Sequence, residues 1–448
     1  MFARNPIVSR RGRIAAVVAL GCSPLAFVFL RLVPCASSDE PPATERVSVA
    51  TSGVQAAGES LAPAISADGR RVAFVSWASN LVAGDTNAVG DLFLRDRVSG
   101  TTACISVASS GVPANGESYE PAISADGGWV AFVSDASNLV AGDTNQVGDV
   151  FVHQLSSGST VRASVASNGG EADAASNAPV LSGDGRFVAF HSSASNLVVN
   201  DTNKQSDVFV RDLQTGTTER VSVSASGAQA DGMSESASIS ESGRFVAFAS
   251  TAPNLVSPAD ENRVWDVFVR DRDMGSVIRA SVPSSGCEGN GHSVAPSISA
   301  DGSSIAFESE ATNLVAGDTN GRADVFVRDL GAGTTTRVSV NSSGAQGNGR
   351  STHPSISADG RYVAYLSAAS NLVAGDTNGA PDVFLFDRTN GSIARVSLGS
   401  LDVQGNKAST WSVLSRDGRF VAFPSASTQL VDGDSNAAMD VFVRGPLF

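Results

Sequence analysis

The chain is 448 residues long, and a 58-residue period accounts for 406 of them as seven units, leaving 42 at the N-terminus outside the repeat. Forty-four glycines, 17% charged residues and only two lysines, Lys204 and Lys407, describe a turn-rich globular chain and exclude a disordered segment or a coiled coil. A formal net charge of −14, with no basic stripe interleaved with aromatics, excludes phosphate backbones and anionic lipid surfaces as natural partners.

Residues 1–36 begin with a basic head carrying Arg4, Arg10, Arg11 and Arg13, followed by an apolar run from Ile14 to Leu30. That order is what a secretory signal needs to enter and cross a bilayer, so the segment is expected to direct export. Ser9-Arg10-Arg11 loosely resembles a twin-arginine signal, but Arg13 sits where that pattern wants an apolar residue. Cleavage is expected near Ala36 to Ser38. Two alternatives stay open: Leu32-Val33-Pro34-Cys35 resembles a lipobox, with Pro34 where a small residue is usual, and the apolar run is long enough for an uncleaved anchor. Loss of the five arginines before residue 36 takes the net charge from −14 to −19. Export would leave Cys104 and Cys287, which lie in distant units and are expected to stay unpaired. Residues 37–45 read as a short linker and 46–448 as the repeat domain.

The turn Ser-Ala-Asp-Gly or a variant recurs with its third residue at Asp68, Asp126, Asp184, Ser242, Asp301, Asp359 and Asp417, at intervals of 58 residues and once 59. Within the unit at 354–398, Pro354 to Ser357 predicts a first strand and Asp359-Gly360 a hairpin turn. Arg361 to Leu366 predicts a second strand, followed by a long loop from Ala369 to Pro381. Asp382 to Asp387 predicts a third strand, Thr389-Asn390-Gly391 a turn and Ile393 to Leu398 a fourth. The middle strands have continuous apolar cores, so both sheet faces must be covered, whereas the first strand is built from small residues fit for a crowded axis. Radial sheets around an axis meet both demands: the fold class is all-β, a seven-bladed β-propeller of four-stranded antiparallel blades. The last unit ends after a third strand, and Arg46-Val47-Ser48-Val49 matches Arg337-Val338-Ser339-Val340. An N-terminal strand is therefore expected to complete the C-terminal blade and cover its edge.

Pro354-Ser-Ile-Ser-Ala-Asp-Gly-Arg-Tyr-Val-Ala-Tyr, with Asp382-Val-Phe-Leu-Phe-Asp and Ala394-Arg-Val-Ser, resembles the repeat of TolB-like β-propellers across residues 46–444. The resemblance implies the propeller fold and, since exported members are mostly binding scaffolds, a binding role; TolB itself partners a peptidoglycan-associated lipoprotein. Two departures separate this chain from TolB. TolB's N-terminal α/β domain is not expected in the residues ahead of the repeat, and the second-to-third strand loop lengthens the period.

That loop ends in Asp-x-Asn-x-x-x-Asp in every unit: Asp85/Asn87/Asp91, Asp143/Asn145/Asp149, Asp201/Asn203/Asp207, Asp260/Asn262/Asp266, Asp318/Asn320/Asp324, Asp376/Asn378/Asp382 and Asp434/Asn436/Asp440. Alternating oxygen side chains on a turning backbone suit Ca²⁺, and the pattern is similar to calcium loops of integrin-like propellers, lacking their middle Asp. The other reading makes these residues Asx turns that satisfy loop backbone groups, with no metal. Sevenfold repetition points to structure and leaves both readings open.

The same face carries the fourth-to-first strand loops, so a ligand site is expected there, near the axis, among residues that break the pattern. Just before the first strands these are Tyr119, Glu120, Glu235, His353 and Trp411; nearby loops add Met233, His292, Arg350 and Lys407. Trp77, Trp129 and Trp265 are expected to pack between blades or brace a loop. No catalytic set is assigned, because the four histidines lack metal-ligand spacing and no nucleophile has a sequence-level partner. The reading is an exported monomer, periplasmic, outer-membrane-associated or secreted, that binds or scaffolds protein or glycan. The alternative is a hydrolase or lyase acting on extracellular polysaccharide or peptide through the mouth, with paired acids such as Glu120 and Glu235.

Overall fold

Val72-Ala73-Phe74-Val75 and Leu92-Phe93-Leu94 lie side by side in antiparallel register, Phe74 opposite Phe93, and all but Leu94 are essentially inaccessible to solvent. Such strands need a sheet packed on both faces. The computed structural model describes residues 42–448 and arranges 28 strands as seven four-stranded antiparallel sheets. Blades 1 to 6 span 60–104, 118–162, 176–220, 234–279, 293–337 and 351–395, each a meander in chain order. Blade 7 joins the strands at 413–445 to Ala43–Arg46. The expectations for the leader, its cleavage and Cys35 lie outside the described residues. Among the described residues no helix is long and apolar enough to cross a membrane.

The closing strand pairs Ala43 with Gly445 and Arg46 with Phe442. It thus lies ahead of the Arg46–Val49 segment marked by the sequence, and the fourth strand of blade 6 is Ser392–Arg395 instead of running to Leu398. In both places the chain turns back just after the arginine: Val49 bridges Gln55, and Leu398 bridges Gln404. First strands also differ. In blade 6 the strand runs Ser351–Ile356, starting earlier than Pro354, because the Ser351 and Ser367 hydroxyls bond at 2.9 Å and anchor its outer end.

The ring is tied together near its axis by backbone hydrogen bonds between successive Asp-Gly hairpins. Ala67 N–H donates to Ala125, Ala125 to Gly183, Gly183 to Glu241, Glu241 to Ala300, Ala300 to Ala358, Ala358 to Arg416, and Asp417 back to Ala67, at 2.8–3.2 Å. Between neighbouring blades the apolar faces interlock. Across the closure Phe74 and Val72 of blade 1 pack with Ala422, Val441 and Val443 of blade 7. The seven first strands line an axial channel of about 250 Å³. At its turn end Arg416 reaches from blade 7 to Glu241 of blade 4, with Nη1 and Oε2 2.8 Å apart. The other end is the mouth.

Candidate functional site

Two concentric zones make up the loop face. In the outer belt the last Asp of each loop opens a third strand and is buried, which obliges it to find donors. Asp324 accepts from Ser339 Oγ at 2.5 Å, Asn320 Nδ2 at 3.0 Å and Gln346 Nε2 at 2.8 Å. The Asn forms an Asx turn as well, its Oδ1 accepting from Arg322 N–H at 2.8 Å.

The same geometry recurs in the neighbouring loops. Asn145 Nδ2 donates to Asp149 at 2.8 Å and Asn203 Nδ2 to Asp207 at 3.0 Å, while their Oδ1 atoms accept from Val147 N–H at 3.2 Å and Gln205 N–H at 2.9 Å. Asn87, Asn262, Asn378 and Asn436 likewise donate to Asp91, Asp266, Asp382 and Asp440. Of the two readings of the loop, the asparagines take the Asx-turn one. In Asn145 and Asn203 both ends of the amide are thus engaged inside the loop.

The arginine that ends each fourth strand comes between the two acids: Arg337 lies 3.5 Å from Asp318 and 3.7 Å from Asp324. Arg46, Arg162, Arg220, Arg279 and Arg395 take the same place in their blades, facing Asp434, Asp143, Asp201, Asp260 and Asp376. A guanidinium thus lies near the first acid of the loop in six of the seven blades, at 3.3–3.7 Å.

Blade 1 departs from this rule. Its fourth strand ends at Cys104, and among the described residues no basic side chain comes within ion-pair distance of Asp85 or Asp91. Burial first, and then the Asp91 charge, push the Asp85 carboxyl up. Burial likewise pushes the Cys104 thiol up to about 11, away from thiolate reactivity. Two groups of three carboxylates are close enough to hold a metal ion, Asp143/Asp149/Glu171 and Asp260/Asp266/Glu288.

At the mouth, each of the first six blades has a β-bulge, and its third first-strand residue takes a left-handed backbone: Ala62, Glu120, Ala178, Ser236, Ala295 and His353, with φ between 47° and 55°. Non-glycine residues held there carry strain of about 1 kcal/mol or more, and such strain gathers at binding sites. Glu120, Glu235 and His353, expected just before the strands, therefore lie inside them at the bulge, as does Tyr119. Trp411 holds the equivalent place in blade 7, where the strand shrinks to Val413–Leu414. Pro424 stands opposite and has no N–H to extend the ladder; Thr410 N–H still donates to its carbonyl at 3.0 Å.

The bulge aims its N–H where an acid from the preceding blade can reach it. Ala178 N–H donates to Glu120 Oε2 at 2.7 Å, and His353 N–H to Glu308 Oε2 at 3.1 Å. Glu308 is the organising residue of blades 5 to 7. Only 6% exposed, it also accepts from Arg350 Nη2 at 3.1 Å. The His353 ring meets Trp411 edge-on at 5.5 Å, and Trp411 is 49% exposed. Beside them a depression of about 290 Å³ is lined by Trp265, His292, Val294, Glu308, Glu310 and Arg350. His292 Nδ1 accepts from Trp265 N–H at 3.2 Å.

The structure therefore gathers His292, Arg350, His353 and Trp411, and adds Trp265 to them. Tyr119 stays apart: its hydroxyl donates to Asp135 at 3.3 Å, and burial, helped by that acid, pushes it up to about 12. Glu120 and Glu235 act from blades 2 and 4 on His191 between them. Burial draws that imidazole down and the two acids partly oppose it, while its Nδ1 is buried without a partner. Glu308 and His191 escape a search for loop outliers because both sit in second strands. Their signal is the residue between the aromatic and the closing Ser, where other blades have Val75, Val133, Ala249, Leu366 and Pro424. Of the other tryptophans, Trp129 packs under Gly185 of the next blade, and the half-exposed Trp77 braces Gly90 in its own loop.

Solved structures align along most of the chain. An oligogalacturonate lyase in complex with manganese matches with a TM-score of 0.54 and 12% identity, over 91% of this chain and 96% of that one. The β-propeller domain of the trilobed protease from Pyrococcus furiosus matches at 0.52 and 11%, over 87% and 98%. TolB from Acinetobacter baumannii matches at 0.39 and 16%, over 80% and 76%. At these identities the shared property is the fold. Neither family models nor curated proteins give a match. The repeat and the ring of blades make the fold a seven-bladed β-propeller.

Proposed function

We propose that this chain is an exported binding module of the cell envelope or exterior, and that its axial mouth engages a segment of a protein or glycan partner. The observation that carries the reading is the break in ring symmetry around Glu308, where Arg350 and His353 bond one buried acid of the preceding blade and Trp411 of the next meets the His353 ring. An exposed indole edge beside charged and imidazole groups is the mix that grips a sugar ring or an aromatic or basic side chain. The negative net charge of the chain favours neutral or basic segments over anionic polymers.

The test screens the full chain against arrays of neutral glycans and basic or aromatic peptides, then repeats the best binder with Trp411→Ala and Arg350→Ala. Both variants should weaken binding at least tenfold while the product analysis shows the binder uncleaved. Equal binding by wild type and both variants would remove the mouth from the function. Cleavage of the binder would replace the binding-module reading with that of a hydrolase or lyase.

A further inference from the structure

Four loops of the outer belt use a glutamine amide to bridge their two aspartates. Gln229 Nε2 donates to Asp201 at 2.8 Å and to Asp207 at 3.2 Å; Gln55, Gln346 and Gln404 do the same in their blades. Blade 4 has Glu288 at that place, so the bridging donor becomes a third carboxylate. It also has Glu261 where the other loops have Thr or Ser, so the hydroxyl next in the chain is gone.

The consequence is visible in Asp260. Its Oδ1 accepts from Asn262 N–H at 3.2 Å, but its Oδ2 is buried with no donor, and the residue is 4% exposed. One oxygen each from Asp260, Asp266 and Glu288 falls within 4.8 Å of the others. Arg279 does not fill the gap: it bonds Glu288 at 2.5 Å but stays 3.7 Å from Asp260 and 4.0 Å from Asp266. Three carboxylates and one guanidinium leave two negative charges uncompensated in a buried place, a costly arrangement without a counter-ion.

Blade 2 supplies the contrast. Glu171 also replaces the glutamine there, yet Thr144 donates to it through N–H and hydroxyl at 2.8 Å each, and Arg162 lies 3.4 and 3.1 Å from Asp143 and Asp149. That loop satisfies itself. Blade 4, the blade with the additional residue, opens beside Glu288 onto a cavity of about 560 Å³, lined among others by Ser257, Pro258, Glu261, Arg279 and Glu288.

We infer that Asp260, Asp266 and Glu288 hold one hard divalent cation, Ca²⁺ in preference, whose remaining ligands are water from the adjoining cavity. Oxygen-only donors of irregular geometry match that ion, and its two charges match the deficit. The site is single and belongs to blade 4, unlike a sevenfold set of calcium loops.

The experiment titrates the full chain with CaCl₂ and with MnCl₂ by calorimetry and counts bound ions by native mass spectrometry. One ion per chain is expected. Glu288→Gln installs the residue four other blades already use, so it should fold, and it should lower affinity at least tenfold; Glu171→Gln should change nothing. Asp260→Asn is a second variant with the same expected loss. The inference is overturned by no binding up to about 5 mM, beyond the ~1 mM dissociation constants of extracellular calcium modules. It is equally overturned by binding unchanged in Glu288→Gln, or by loss in Glu171→Gln instead.

Discussion

The outer belt and the axial mouth share one face and one 58-residue period, yet they use it in opposite ways. Around the belt the same atoms meet seven times with small changes: a serine hydroxyl and an asparagine amide on each buried aspartate, from Ser106 and Asn87 on Asp91 to Ser48 and Asn436 on Asp440. At the mouth the backbone of six blades still repeats, as the shared bulge shows, but the side chains on it run from Ala62 to Glu120 and His353. Repetition marks polar groups that satisfy one another; departure on a repeated backbone marks groups free to face something else.

The belt side of that comparison breaks most visibly at a single carboxylate. Asp324→Ala removes the acceptor for Ser339, Asn320 and Gln346 and leaves the buried Arg337 with Asp318 alone. The expected loss is about 3–5 kcal/mol in urea unfolding, the cost of orphaning a buried charge and its donors. Asp382→Ala should match it, since Ser397, Asn378 and Gln404 form the same set. A loss under about 1 kcal/mol would place the belt among exposed ion pairs that contribute little.

Blade 1 allows the opposite operation. Cys104→Arg puts a guanidinium where six blades already have one, beside Asp85 and Asp91, which have no cation. A gain of about 1 kcal/mol is expected, as for other changes that restore a repeat's consensus. Destabilisation in the same melt would mean that blade 1 is shaped for the smaller thiol.

The fold was legible because a propeller writes its rule seven times, and errors in one unit are corrected by the others. The strand order, the closure and the crowded axis all follow from residues such as Ile65 and Ile356 at matching places. Strand ends were less legible, since the departure of the chain after Arg46 or Arg395 depends on bridges formed beyond the strand. At the mouth, composition pointed to Arg350, His353 and Trp411 but not to Glu308, which gathers them. A buried acid between Phe307 and Ser309 is visible in sequence only when one asks why an apolar strand has a charge in it. The Arg that faces the belt acids was hidden for a related reason: it comes from the fourth strand, far along the chain from the loop it neutralises.

Acid should erode a third set of groups. Asp96 is held at about 2, chiefly by its hydrogen bond from Arg70, and Arg244 and Arg361 lower Asp271 and Asp387 in the same way. A carboxyl whose folded value lies below its unfolded one stabilises the fold above about pH 4, and that contribution is lost as pH falls toward 2. The melting midpoint should therefore drop between about pH 4 and pH 2, and Asp96→Asn should make the drop shallower. A midpoint already falling near neutrality would assign the acid sensitivity to other groups.

The smallest expected effect lies at the mouth. Trp411 is a large aromatic, and in a core its truncation to Ala would cost about 3–5 kcal/mol. Here it is 49% exposed, its blade has lost the bulge that the other six share, and its ring meets that of His353 edge-on. Trp411→Ala should therefore change stability by no more than about 0.5 kcal/mol, the range of surface substitutions. If it instead costs as much as a core aromatic, the indole is a lid on the first strands and the asymmetry of the mouth serves packing. A neutral result leaves an exposed indole beside a buried, arginine-paired Glu308 with no role in holding the fold, which is what a residue selected for a partner should show.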